Sequence, residues 1–318
     1  MFDSILVPLD GSQLADCVLP HAAAIARSFD SEITLLRMLE KSRGVISIQS
    51  FDLVNWQINR TKANLYLEKT KAYFQESKIR TRVTVQEGLV AEGITEYAQS
   101  QGIKLIVLSS HGRNGINHLG VSSITQKIIL STHASILLIR AHQYVSQTDV
   151  LSESSLYQRI LVPLDGSQRA EIVLPIITQL AHFLKSEIHL VQIVQTPEMA
   201  RQMPPTREDT ELSNNLVARN REEARLYLEQ VKSRSYLEGL SVQTHLITSD
   251  NMIVALHQLV EQERIDLVAL GAHGYSGNHQ WPYGSTVNNF ILYGRTSLLI
   301  VQDLPISSDP QALERMER

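Results

Sequence analysis

Asp266–Val287 reads DLVALGAHGYSGNHQWPYGSTV, and the fold turns on how that stretch is parsed. Leu267-Val268-Ala269-Leu270 is a short apolar run of the length of a buried strand. It stops at Gly271, Gly274, Gly277 and Gly284-Ser285 follow, and TVNNFILY then resumes a helical pattern. A strand that opens through a glycine-rich loop into a helix start is a device for holding phosphate. Glycine lets the backbone approach an anion with its N–H groups turned inward. The first turn of the helix adds unpaired N–H donors and a partial positive charge. The loop is not a Walker A sequence, since no GKS or GKT ends it, and it is not a GxGxxG fingerprint.

Working outward, the same geometry recurs in the first half of the chain. Ile5–Gln13 and Ile160–Gln168 both read ILVPLDGSQ. Val18-Leu19-Pro20 matches Val173-Leu174-Pro175, Ser31-Glu32-Ile33 matches Ser186-Glu187-Ile188, and Tyr66-Leu67-Glu68 matches Tyr227-Leu228-Glu229. The apolar run at Leu105–Leu108 with His111-Gly112 matches Leu267–Leu270 with His273-Gly274. A period near half of 318 residues means two copies of one domain rather than a solenoid.

Each copy alternates strands and helices. Copy one predicts strands at 4–9, 32–38, 80–86, 104–109 and 135–139, with helices at 13–29, 56–77, 91–100 and 123–131. Continuous apolar strands between helices imply a parallel sheet covered on both faces. The fold class is therefore α/β, with two tandem five-stranded parallel-sheet domains. The expected boundaries are 1–141 for the first domain, 142–157 for a polar linker, 158–304 for the second domain and 305–318 for a charged tail. Ser135–Ile139 and Ser297–Val301 would be apolar sheet edges, which need a partner. The expectation is that they pair within one chain, with two chains free to associate further as a homodimer.

Composition narrows the function. A net charge of −4 without a basic stripe argues against a nucleic-acid or anionic-membrane partner. No apolar run approaches the roughly 18 residues of a membrane span. The opening MFDSILVPLD enters a strand at once, so the expected location is the cytoplasm. The single cysteine, Cys17, fits a reducing compartment and reads as buried filler on a helix face.

In an open parallel sheet, ligands bind beyond the carboxyl ends of the strands. Asp10 and Asp165, at the end of strand one, would accept ribose hydroxyls there, or would cap the helix that follows. Strand-one PxDGS, a GxHG turn after strand four, nine more residues and then GS opening a helix together resemble the universal stress protein family, over nearly the whole chain and twice. The resemblance implies domains of the adenine-nucleotide-binding, Rossmann-like type. Some members bind ATP through a G-x2-G-x9-G-[ST] motif, and others lack the motif and bind none. Carried over by position, Pro163, Asp165 and Ile193 would meet ribose and adenine in copy two. Gly271, His273, Gly274, Gly284, Ser285 and Thr286 would surround the phosphates. The matching, weaker set in copy one is Pro8, Asp10, Met38, Ser109, His111, Gly112, Ser122, Ser123 and Ile124.

Two motif glycines are thus serines in copy one, Ser109 and Ser122, where a Cβ narrows the loop and disfavours positive φ. Copy two departs from the family pattern at Trp281-Pro282-Tyr283, whose bulk would partly fill its own pocket, and at Ser249, where copy one has Gly88. The expected ligand is ATP, or ADP or AMP, with magnesium riding on the phosphates rather than on a protein metal site. Copy two should bind it, and copy one poorly or not at all. No catalytic residue is expected. Strand one runs into DGSQLAD and DGSQRAE, without the phosphate loop of ATP-pyrophosphatase relatives, so ATP hydrolysis would be slow at most. Strand three ends in Gln86-Glu87-Gly88, without the acceptor Asp of a phospho-receiver. A ligand-free dimeric scaffold is the remaining alternative.

Overall fold

A computed structural model describes residues 1–40, 50–113, 115, 120–141, 156–197, 206–274 and 282–303. Copy one runs β1 (Ser4–Pro8), α1 (Gln13–Asp16), α2 (Leu19–Phe29), β2 (Glu32–Leu39), α3 (Ser50–Glu76), β3 (Thr81–Glu87), α4 (Val90–Ser100), β4 (Leu105–Ser109), α5 (Ser123–Ser131) and β5 (Ser135–Ile139). Copy two repeats the order with β6 (Arg159–Pro163), α6 (Gln168–Glu171), α7 (Leu174–Leu184), β7 (Glu187–Val194), α8 (Arg207–Lys232), β8 (Val242–Thr248), α9 (Met252–Gln262), β9 (Leu267–Gly271), α10 (Ser285–Tyr293) and β10 (Ser297–Val301).

The strands form one ten-stranded sheet in the order β3-β2-β1-β4-β5-β10-β9-β6-β7-β8. Within each copy every pairing is parallel, with β1 between β2 and β4 and β6 between β7 and β9. The copies meet at a single antiparallel pair, Leu298 opposite Leu138 and Ile300 opposite Ile136. The pairing expected of the two edge strands is therefore made inside the chain. Every residue of β5 and β10 is buried.

Alternation within the strands builds two core layers. Ile5 and Val7 face one layer with Leu35, Leu137 and Ile177, while Leu6 faces the other with Leu36, Leu108 and Phe290. This is why the strands read as unbroken apolar runs: both faces of the sheet are covered. The helix expected over 13–29 is two helices, broken between Asp16 and Leu19, with Pro20 in the first turn of α2, a place that tolerates its missing N–H. The long helix begins at Ser50, earlier than expected. Of the expected linker, 142–155 lies outside the described residues, but Leu156 and Tyr157 are buried, with Tyr157 Oη 2.5 Å from His21 Nδ1. The expected tail also lies outside the described residues.

The seam is pinned from both sides. Arg140, fully buried just after β5, donates to the carbonyls of Phe290 (2.5 Å) and Ile291 (3.2 Å) in the last turn of α10 and of Thr296 (3.4 Å) just before β10. Tyr283, just before α10, donates its hydroxyl to Ile129 O in α5 at 3.0 Å. Among the described residues no helix is long and apolar enough to cross a membrane.

Candidate functional site

The loops after β1 and β4 meet at the carboxyl edge of copy one, and those after β6 and β9 meet in the same way in copy two. In copy one Asp10 joins them. Its Oδ1 accepts from Ser12 N (2.9 Å) and Ser12 Oγ (2.5 Å), and its Oδ2 accepts from Arg113 N (2.6 Å). Burial acts to raise the Asp10 carboxyl, but the bonds from Ser12 and Arg113 and the Arg37 charge more than offset it, so it sits below its ordinary value. In copy two Asp165 Oδ1 accepts from Ser167 N at 2.9 Å. The helix caps are the serines: Ser12 accepts from Ala15 N and Ser167 from Ala170 N. The capping alternative for the two aspartates is therefore set aside, because each carboxylate instead closes the turn two residues on.

The glycines are explained by crowding, and this corrects the expectation of positive φ. Gly271, Gly274 and Gly284 all lie outside the left-handed region, and Gly284 has φ −66° against −64° for Ser122. A Cβ on Gly271 would come within 2.6 Å of Arg169 O, and one on Gly274 would overlap Asp165 Oδ2. The same overlap, with Asp10 Oδ2, excludes a side chain at Gly112. A Cβ on Gly284 would meet nothing nearer than Ala272 O at 3.7 Å.

Copy one accommodates its two serines by giving each a local partner. Ser109 Oγ donates to Leu14 O at 2.8 Å, the carbonyl equivalent to Arg169 O. Ser122 is the N-cap of α5, and its Oγ accepts from Thr125 N at 3.1 Å. Gly284, its counterpart before α10, supplies no side-chain cap. The first turn of α10 thus keeps an amide that Ser122 occupies in α5. Cys17 is buried beside Ser109, its Sγ 3.6 Å from Ser109 Oγ, and burial pushes its thiol up to about 12.

The bulk at Tyr283 does not fill the pocket of copy two, since that ring is turned into the seam. Gly277 and Trp281 lie outside the described residues. Ser249 closes a turn, its Oγ accepting from Asn251 N at 3.2 Å, and Asn251 caps α9.

Copy comparison also finds a residue that motif reading missed. His273 Nδ1 lies 2.7 Å from Asp303 Oδ1, with Arg169 Nε 3.5 Å from Asp303 Oδ2, and the His273 and Asp303 side chains are nearly inaccessible. Asp303 stands where copy one has Ala141. There Ser110 Oγ lies 3.0 Å from His111 Nδ1 and accepts from Ala141 N at 3.1 Å. The polar partner of the loop histidine Nδ1 has moved from the loop in copy one to the end of the last strand in copy two.

A cavity of about 820 Å³ opens in copy one between the carboxyl edge of the sheet and α3. Met38, Ile94, Leu108 and Ile128 form apolar wall, and Asp10, Ser109, His111, Gly112, Ser122 and Ser123, all named from sequence, come together along one side. Among the described residues no cluster of three or more His, Cys, Asp or Glu could hold a metal.

The universal stress protein family model matches residues 1–140 and again residues 156–302. The chain belongs to this family. Curated relatives match a little under half of the chain over most of their own length. Universal stress protein MJ0531 of Methanocaldococcus jannaschii is 25% identical over 142 residues, covering 44% of this chain and 83% of that protein. Universal stress protein Sll1654 of Synechocystis sp. is 28% identical over 140 residues, covering 44% of this chain and 86% of that protein. Among solved structures, a universal stress protein from Archaeoglobus fulgidus covers 95% of this chain and 99% of its own, with TM-score 0.66 and 16% identity. That likeness shows the tandem α/β fold of the family across nearly the full length.

Proposed function

We propose that this chain is an adenine-nucleotide-binding stress-response module in which copy two is the polyphosphate site. One observation carries the reading: the first turn of α10 is opened by Gly284 with no side-chain cap, whereas Ser122 occupies the equivalent amide in copy one. An uncapped helix start beside a loop stripped of side chains at Gly271 and Gly274 presents amide donors to an anion. Gly271, His273, Gly274, Gly284, Ser285 and Thr286 would hold the phosphates. Pro163, Asp165 and the main chain at Ile193 would take the ribose and adenine. Magnesium, where it accompanies the nucleotide, would ride on phosphate oxygens. The nucleotide would act by occupancy, changing assembly or partners, with hydrolysis slow at most.

The test uses the full chain. Heat-denatured protein is assayed for released nucleotide, and ATP is titrated calorimetrically against the native chain and Gly274→Val. The expected result is released adenine nucleotide and saturable ATP binding that Gly274→Val removes. Absence of ATP binding at millimolar concentration, or unchanged binding in the variant, overturns the proposal.

A further inference from the structure

The loop histidine of copy two sits in a charged network that copy one lacks at the equivalent positions. His273 Nδ1 lies 2.7 Å from Asp303 Oδ1, and Arg169 Nε lies 3.5 Å from Asp303 Oδ2. Three separate elements supply the network. Arg169 comes from α6, His273 from the loop after β9, and Asp303 from the end of β10. In copy one the same three places hold Leu14, His111 and Ala141, so neither the guanidinium nor the carboxylate has a counterpart. His111 Nδ1 instead faces the neutral hydroxyl of Ser110 at 3.0 Å.

A carboxylate can only accept, so the hydrogen of the 2.7 Å contact is carried by His273 Nδ1. A neutral His273 therefore keeps its lone pair on Nε2, and that nitrogen is where a second proton goes. Ser110 does not fix the tautomer of His111 in this way, because a hydroxyl can donate or accept. The side chains of His273 and Asp303 are 2% and 4% exposed, so charges placed on them are little screened by water. With His273 neutral, Asp303 and Arg169 cancel. With His273 protonated, the network carries one positive charge. Asp165 is the other charged group at this turn. Its Oδ1 accepts from Ser167 N at 2.9 Å, and its Oδ2 lies against Gly274, the residue after His273. A polyphosphate laid on the amides of this loop adds negative charge beside the imidazole.

We propose, resting on the reading of copy two as the polyphosphate site, that Asp303 is a positioning residue that couples nucleotide occupancy to a proton. Asp303 holds His273 with its Nδ1–H turned to the carboxylate, and His273 takes a proton from the buffer on Nε2 as the polyphosphate binds. Arg169 offsets part of the Asp303 charge, so the carboxylate alone does not keep the imidazole charged and the ligand decides. An imidazole changes charge between about pH 5 and 8, so the coupling acts near neutrality. The protonated ring favours the anion. ATP therefore binds more tightly as pH falls through that window and is released as pH rises, and by reciprocity binding takes up protons. The serine at 110 brings no charge to the histidine of copy one.

The test titrates ATP calorimetrically against the full chain in buffers of different ionisation enthalpy, which counts the protons taken up per ATP, from about pH 6.5 to about pH 8.5. The native chain is compared with Asp303→Asn, which keeps an acceptor of the same shape for Nδ1–H without the charge, and with His273→Gln. Urea midpoints confirm that all three fold. The ligand is the same throughout, so the protonation of ATP itself cancels. The native chain is expected to take up roughly half a proton or more per ATP beyond either variant. Its affinity should fall by roughly threefold to tenfold more than theirs across that pH range. A purely structural Asp303 would lower affinity equally at every pH and leave the proton count alone, and that result overturns the proposal. A native count equal to that of His273→Gln overturns it even where Asp303→Asn binds too weakly to titrate. Absence of ATP binding to the native chain overturns the reading of copy two and the coupling with it, whereas binding with an unaltered proton count overturns the coupling alone.

Discussion

Arg140→Met is expected to weaken the seam between the copies by an amount the structure allows to be worked. The guanidinium is fully buried and is pushed down to about 10 by that burial. A fall of that size from 12.5 corresponds to roughly 3 kcal/mol spent in burying the charge. In return Arg140 reaches three carbonyls, on Phe290, Ile291 and Thr296, near the negative end of the α10 dipole. Charge-assisted bonds of this kind contribute roughly 2 kcal/mol each. The bonds therefore outweigh the burial by roughly 3 kcal/mol, and methionine, which keeps volume but neither bonds nor charge, should lose about that much. Arg140→Lys should recover only part of it, since one ammonium does not fork across three carbonyls. Urea denaturation of the full chain, followed by far-ultraviolet circular dichroism, reads the difference. In thermal melts the same loss should appear as a fall of roughly 4–5 °C for a chain of 318 residues. A methionine variant within about 0.5 kcal/mol of the native chain, the range of an ordinary surface substitution, would refute the reasoning. It would mean that the bonds only cancel the cost of burial.

Four further outcomes are expected. Gly274→Ala should weaken ATP binding by more than about tenfold while Gly284→Ala changes it by less than about threefold, because only the former places a Cβ on the Asp165 carboxylate; calorimetry separates them. Tyr283→Phe should cost about 1 kcal/mol, visible as a lower urea midpoint, since Ile129 O loses its donor in a buried seam. Burial holds His21 down to about 3 against 6.5 unfolded, so the unfolded chain takes up a proton that the folded chain refuses. Stability should accordingly fall as pH drops from about 6.5 towards about 3, and His21→Gln should flatten that part of the profile. Cys17, buried and with its thiol raised to about 12, should react with a disulfide reagent only on unfolding, as a colorimetric thiol assay with and without urea would show.

Much of the fold was legible because the relevant signals are local or repeated. Two copies of ILVPLDGSQ announce the duplication, and strands buried on both faces leave unbroken apolar runs such as Ser135–Ile139, whose predicted limits match those observed. The break between α1 and α2 was also written in the chain, at Pro20, but a steady apolar rhythm on either side concealed it. The site was less legible because its physics is long-range. The need for glycine at 271 and 274 comes from Arg169 O and an Asp165 oxygen, each about a hundred positions away in the chain, and not from backbone φ. Asp303 escaped notice for the same reason. It follows a strand in an unremarkable sequence, and only its neighbours in space, His273 and Arg169, give it meaning. A motif comparison weighs the loop that would touch phosphate. It does not weigh the opposite wall, where Arg37 and Lys62 distinguish the copies.

The antiparallel contact of β5 with β10 has a genetic consequence. Where two identical chains meet about a two-fold axis, every substitution appears twice, and a change that suits one partner is imposed on the other. Here the two partners are encoded separately and always made in equal number. Position 62 can therefore be lysine while its counterpart 223 is glutamate, and 122 serine while its counterpart 284 is glycine, without either half compromising its twin. Joining the halves at their most apolar edge lets selection treat the two carboxyl-edge sites as independent traits, while the shared sheet keeps them in one folded body.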